Sequence, residues 1–271
     1  MTRTIQSPRK VERLVAGQPT SDGAGVKLVR VLAQDLQRRL DPFLMLDAFG
    51  TDNPGDYIAG FPSHPHRGFE TVTIVTKGLV DHSDSLGAAG RFGFGDVQWM
   101  TSGGGILHEE MPRRGPKGTI YGFQLWVNLP AKEKMTKPRY QEVRSGDIPE
   151  LNRDGIKIRI VAGTVEGIAG PVKDIAIGPH YFDVALPPST TWTFPVPVGH
   201  TLRVYVFEGS GTFGQDESES GTFVTSVKLL CFNDGDALQV RTDQNSPVRF
   251  MVMAGKTINE PIVPYGPFVM N

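Results

Sequence analysis

An all-β fold of sandwich or barrel type is what this sequence predicts, and three observations predict it. Short apolar runs with strand periodicity recur at close spacing. Gly 32 and Pro 21 punctuate those runs in a chain of 271 residues. The second half faintly repeats the first, which favours two similar domains over one large one. A chain of this length buries a substantial core.

Composition narrows the function classes. Hydrophobic residues make up 39% and charged residues 21%, as expected of a globular protein in water. The net charge is −1 with both signs well mixed, so electrostatics give no support for direct nucleic-acid binding. The start, Met1-Thr2-Arg3-Thr4-Ile5-Gln6-Ser7, has no apolar signal segment, and no stretch approaches a membrane span. A cytoplasmic location is expected, with the nucleus an alternative in a eukaryote. Cys231 is the single cysteine, so no intramolecular disulfide can form; within Lys228-Leu229-Leu230-Cys231-Phe232 it reads as a buried apolar thiol.

Taken in order, residues 1–24 are polar and rich in turn formers, and residues 26–32 alternate as a strand. Residues 40–50 are strongly apolar with Asp47 embedded in them. That carboxylate reads as a structural hydrogen-bonding residue, or less often as a partner for a metal-binding histidine. A loop over 52–56 then delivers the chain to Ser63-His64-Pro65-His66-Arg67-Gly68-Phe69-Glu70 and a β-rich run through Val75. Next come a polar loop holding His82, expected at the surface, and the turn Arg91-Phe92-Gly93-Phe94-Gly95-Asp96. Residues 97–101 read as a strand. Ser102-Gly103-Gly104-Gly105 resembles a phosphate loop only superficially, because no helix or Lys-Ser/Thr follows. Ile106-Leu107-His108-Glu109-Glu110-Met111 follows it. Residues 122–129 are the last strand of this half, and 130–135 a linker or short helical turn.

The chemistry concentrates in two of these stretches. Strand side chains alternate faces, so His64 and His66 share a face, His108 and Glu110 share a face, and Glu109 points away. Two such strands side by side would present three imidazoles and a carboxylate to one point. That set suits Fe(II), Mn, Ni, Cu or Zn. A lone His-x-His is weak evidence, since a buried histidine is more often a hydrogen-bonded core residue; the second segment, with matching parity, strengthens it. The faint repeat offers a ruler. Gly78 aligns with Gly209 and Gly95 with Gly235, and the four ligand offsets then fall on Pro195, Pro197, Val248 and Phe250, none of which binds metal. His180 and His200 lie nearby without forming a pair of equal parity.

These segments resemble the pirin family. The resemblance is carried by His64-Pro65-His66-Arg67-Gly68-Phe69-Glu70-Thr71-Val72, by Gln98-Trp99-Met100-Thr101 and by Gly105-Ile106-Leu107-His108-Glu109-Glu110-Met111-Pro112. Gln124-Leu125-Trp126-Val127-Asn128-Leu129 and the closing Gly266-Pro267-Phe268-Val269-Met270-Asn271 extend it from about residue 25 to the end. It implies a bicupin: two tandem cupin-type β-barrels (double-stranded β-helices) with short helical segments. Residues 1–135 would form the barrel with the metal site, and 136–271 a second barrel whose ligand positions are lost. The family's ligands carry over onto His64, His66, His108 and Glu110, the four that strand parity selects. Fe(II) is the expected ion, with Mn, Ni, Cu, Co or Zn suited to the same donors. The broader cupin pattern places a glutamate ligand where Glu70 stands, but the pirin pattern favours Glu110. Relatives usually run on past the Phe-Val-Met-Asn segment.

The resemblance further implies a dioxygenase that opens flavonols such as quercetin with O2 and releases carbon monoxide, with Glu110 as general base. Phe43, Met45, Trp99, Phe123 and Trp126 are candidate walls for a flat aromatic substrate, although each is more often simply core. The alternative is an iron-bound redox-sensing regulator acting through a protein partner, as a transcriptional co-regulator or a modulator of a metabolic enzyme.

Overall fold

The computed structural model describes residues 7–31, 40–114, 118–214 and 221–271, and in them the chain is almost entirely strand and turn. Leu32, expected at the end of a strand, lies outside the described residues. Chain contacts divide the molecule into two units. One comprises the described residues of Gln18–Asp147 with Ile258–Asn271, and the other those of Met1–Gly17 with Ile148–Thr257. This is not a single cut after residue 135, because residues 136–147 and the last fourteen stay with the first unit. No helix among the described residues is long and apolar enough to cross a membrane.

The polar start of the chain is not merely turn, since it supplies β1 (Val11–Val15) and β2 (Gln18–Asp22). In the first unit, β2 is followed by β3 (Val26–Arg30), β4 (Phe43–Thr51), β5 (Phe61–His66), β6 (Phe69–Lys77) and β7 (Leu79–Asp84). Then come β8 (Ala89–Gly93), β9 (Val97–Thr101), β10 (Ile106–Arg113), β11 (Ile120–Asn128) and β12 (Arg139–Val143). A short 3-10 turn, Ala131–Glu133, occupies the expected linker. The strands form a seven-stranded sheet ordered β12-β9-β6-β11-β4-β3-β2 and a four-stranded sheet ordered β5-β10-β7-β8. Pro62 and Pro65 lack N–H donors, which suits β5 to the edge it occupies.

In the second unit follow β13 (Glu150–Arg153), β14 (Ile156–Ala162), β15 (Thr164–Val165), β16 (Ile168–Ala169), β17 (His180–Leu186) and β18 (Thr191–Pro195). β19 (His200–Phe213), β20 (Thr222–Thr225), β21 (Lys228–Phe232), β22 (Ala237–Arg241) and β23 (Val248–Lys256) complete it. β24 (Val263–Tyr265) and β25 (Phe268–Met270) return to the first unit as a hairpin. The N-terminal β1 pairs with β21. Buried Arg9 pins it there by donating to the carbonyls of His200, Asn233 and Pro197 and to Asp234 Oδ1.

The pairing topology repeats, and it corrects half of the ruler. β11 lies between β4 and β6, as β23 lies between β17 and β19; β10 pairs with β5, as β22 pairs with β18. Gly78 and Gly209 are true counterparts. Both have positive φ, and a side chain on either would strike the backbone just before β11 or β23. The turns at Gly95 and Gly235 are not equivalent, for the first precedes β9 and the second precedes β22. Val248 and Phe250 therefore lie on the counterpart of β11, and the counterpart of β10 carries Leu238 and Val240. Those two face Phe194 and Trp192 across the pair and join an apolar core with Phe182, Phe213 and Phe250. That interior is filled with hydrocarbon. Cys231 is free and buried, as its surroundings predicted.

Candidate metal centre

The two stretches singled out in the sequence meet across one antiparallel pair. His108 on β10 stands directly opposite His64 on β5, and Ile106 opposite His66. Opposed residues share a face, so the three imidazoles project to one side. Their ring centroids lie 4.7 Å apart for His64–His66, 4.4 Å for His64–His108 and 5.0 Å for His66–His108. One ring nitrogen from each lies within 4.8 Å of the others, and this is the group among the described residues able to hold a metal ion. Glu109 points outward, where it accepts a bond from Ser83 Oγ at 2.7 Å.

The donor chemistry fits an ion. His64 Nδ1 lies 2.9 Å from the Pro62 carbonyl, which can only accept, so the ring proton sits on Nδ1 and the Nε2 lone pair faces inward. That Nε2 lies 3.1 Å from His66 Nε2. Neither nitrogen of buried His108 has a hydrogen-bond partner. Burial, reinforced by the neighbouring imidazoles, pushes His66 and His108 down to about 3. Both rings are therefore neutral and keep a lone pair for coordination. Neutral imidazoles whose nitrogens converge this closely are what a divalent cation satisfies.

Local sequence explains the placement of His66. The Arg67-Gly68 turn follows at once, and Gly68 has φ +85 with the Val269 carbonyl where a Cβ would stand. The turn lets Phe69 fold back under the His66 ring. Phe69 lies 5.0 Å from His66 and stacks on Trp126 at 4.2 Å, while Trp126 meets His66 edge-on at 5.2 Å.

The same turn separates Glu70 from the site. With β5 ended at His66, the parity of a single regular strand no longer carries through. Phe69 and Thr73 face the histidine side, and Glu70 faces the other with Val72, Trp99 and Val127. There Thr101 Oγ1 donates to Glu70 Oε1 at 2.6 Å, and burial pushes its carboxyl up to about 7.

Glu110, in contrast, is turned into a cavity of about 700 Å3 that His64 and His66 also line. Gln124 Nε2 donates to both its oxygens, and Thr73 Oγ1 lies 3.5 Å from Oε1. Trp126 Nε1 in turn donates to Gln124 Oε1 at 3.2 Å, which fixes the amide orientation. Of the candidate walls, Met45 and Trp126 line the cavity. Phe43, Trp99 and Phe123 do not, because their strand parity is that of Glu70. Asp47 lines it as half of a bidentate pair with Arg30, so its role there is structural hydrogen bonding.

His82 is the expectation that fails outright. It is 5% exposed, stands opposite Glu110 across β7–β10, and places Nε2 2.6 Å from Glu142 Oε1. The stretch expected to be a loop is strand β7, whose inward parity includes His82 and Asp84. Gln124 and Thr73 carried the signal of a polar residue at an inward position of an apolar strand, although nothing in the sequence tied them to Glu110.

Comparison with known proteins agrees with this fold. Residues 25–127 match the Pirin family model, and residues 181–271 the Pirin C-terminal cupin domain. A Pseudomonas aeruginosa protein provisionally named a quercetin 2,3-dioxygenase is 46% identical over 97% of this chain and 92% of its own length. A crystal structure of quercetin 2,3-dioxygenase from Acinetobacter baumannii, 34% identical, superposes with TM-score 0.87 over 98% of this chain and 93% of that one. The pirin YhhW from Escherichia coli, solved with nickel(II), shares the fold at 18% identity, with TM-score 0.67 over 90% of this chain and 99% of its own.

Proposed function

The chain belongs to the pirin family, with the two-domain cupin fold of that family, and from that premise we propose that it is a metal-dependent dioxygenase opening flavonols such as quercetin with O2 and releasing carbon monoxide. The observation that carries the reading is that two members of the three-histidine cluster, His64 and His66, lie with Glu110 on the wall of a roomy, mainly apolar cavity. A site serving only to stabilise the fold would have no use for such a chamber.

The ligands we assign are His64, His66, His108 and Glu110, holding Fe(II) or another borderline divalent ion. When bound, the ion supplies Lewis-acid polarisation of the substrate oxygens and access to O2 chemistry. The chain's own residues do the rest. Glu110 accepts the proton of the flavonol 3-hydroxyl on the carboxylate oxygen not engaged in ligation. Gln124 and Thr73 hold that carboxylate in place, so little orientation is lost when the proton moves. Met45, Phe49 and Trp126 offer flat apolar surface to the rings and keep water from them.

The test is aerobic quercetin turnover by the Fe(II)-loaded protein, with carbon monoxide followed in the headspace and His108→Ala as control. Carbon monoxide from the wild type and none from the variant supports the reading. Bound iron without turnover refutes it.

A further inference from the structure

We propose that Arg30 and Asp22 form a recognition site for a neutral hydroxyl group, phenol or catechol, on the aromatic ligand of the cavity. The inference deepens the dioxygenase reading and rests on it.

Arg30, Asp47 and Asp22 lie on the cavity wall amid Leu28, Met45 and Phe49. Arg30 spends Nε and Nη2 on Asp47, at 2.9 and 2.7 Å, and Nη2 also reaches Asp22 Oδ2 at 2.8 Å. Two acids on one guanidinium hold it rigid, and among the described residues no hydrogen bond uses Nη1. Its two N–H donors remain on a side chain that is 31% exposed. Asp22 Oδ1 accepts from the Gly23 amide, yet the carboxylate is 51% exposed and keeps acceptor capacity. Asp47 is spent on the guanidinium and buried.

This arrangement selects by charge and by valence. One cation against two carboxylates leaves the trio at −1, which disfavours an incoming carboxylate or phosphate. A guanidinium N–H beside a carboxylate oxygen offers a donor and an acceptor together. A neutral hydroxyl, which both accepts and donates, satisfies the two at once. Position selects by length. Arg30 pairs with Asp47, and Asp47 with Gln124, which holds Glu110. Two strand spacings, about 10 Å, thus separate the backbone of Arg30 from that of Gln124, the residue that anchors Glu110. That span suits a polycyclic aromatic bound by a chelating edge at the histidines and hydroxylated at its far end.

The experiment uses the whole protein loaded with redox-inert Zn(II) and follows binding by tryptophan fluorescence. The probes are three flavonols with the same 3-hydroxy-4-oxo edge, whose pendant ring carries no substituent, a 3′,4′-dihydroxy pair or a 4′-carboxylate. The wild type should bind the dihydroxy compound about ten-fold tighter than the unsubstituted one, the value of one charge-assisted hydrogen bond, and the carboxylate weakest. Arg30→Gln and Asp22→Asn should each bring the dihydroxy and unsubstituted compounds to within about two-fold. Asp22→Asn leaves the Arg30–Asp47 pair intact, so the fold is kept, and it should also improve binding of the carboxylate, an effect a merely structural role would not produce. Equal wild-type affinity for the three compounds overturns the inference while the dioxygenase reading stands. So does a preference that survives both variants. Failure to bind any of the three overturns that reading and the inference with it.

Discussion

Gln124 Nε2 donates to both carboxylate oxygens of Glu110, at 3.2 Å and 3.0 Å. On the proposed assignment, the carboxylate that would share an ion with three imidazoles is thus oriented beforehand, and the orienting amide is itself fixed by Trp126. Gln124→Leu should keep the fold but free that carboxylate. Partners that orient metal ligands are commonly worth about 10–100-fold in affinity. Metal retention against a graded series of chelators should weaken by that factor, and unchanged retention would show that Glu110 does not ligate.

The proton role of Glu110 separates from its ligand role in Glu110→Gln. Three histidines remain to hold the ion, and the amide is nearly isosteric, but it cannot accept a proton. Flavonol kcat should fall by about 10²–10⁴-fold, the usual worth of a general base. Metal content, measured by elemental analysis, should fall far less than in His108→Ala. Turnover near the wild-type level would assign the proton to another acceptor.

The convergence of His64, His66 and His108, with Glu110 facing the same cavity as His64 and His66, was legible in the sequence because strand parity is a local property: His64 and His66 lie on β5, and His108 and Glu110 on β10. Glu70, where the broader cupin pattern offered a rival ligand, looks in phase with His66 until the turn at Gly68 resets the register. Where the reading failed, the cause was tertiary. His82 sits in a polar stretch that gives no apolar period, yet pairing with β10 carries it inside. The repeat at Gly78 and Gly209 held because both glycines meet a backbone that no side chain could approach. The turns at Gly95 and Gly235 share only composition. The Arg30–Asp47–Asp22 trio joins three strands, and nothing in residue spacing announces it.

Glu70 lends itself to a pH measurement. Its carboxyl, ordinarily near 4.5, is pushed up to about 7 by burial. Between those values the folded state holds a proton that the unfolded state has released, so its contribution to stability falls as pH rises through the window. The full loss is about 3 kcal/mol and is constant at higher pH. Glu70→Gln keeps an acceptor for Thr101 and removes the titration. Relative to the wild type, the variant should gain stability between about pH 5 and about pH 8 by urea unfolding. Metal content should not change, since Glu70 faces away from the histidines. Parallel stability curves would mean that the carboxyl titrates normally.

Lys134 ties the end of the chain to the turn behind His66. It is 1% exposed, and its ammonium donates to Gly68 O at 2.8 Å, Asn128 Oδ1 at 2.7 Å and Val269 O at 2.9 Å. The Val269 amide returns a bond to the Arg67 carbonyl. β25 is thereby fastened beside Arg67, at the end of β5. Lys134→Met fills the same space with hydrocarbon and leaves three buried acceptors short of a donor. Each such group costs about 1–3 kcal/mol unless it finds water. Repacking around the methionine recovers part of that, so a net loss of about 2–4 kcal/mol is expected. Amide hydrogen exchange locates it: protection at Val269 and Met270 should drop, while that of Val204 and Val252 in the second unit should hold. Unchanged exchange at Val269 would mean that backbone pairing alone secures the segment.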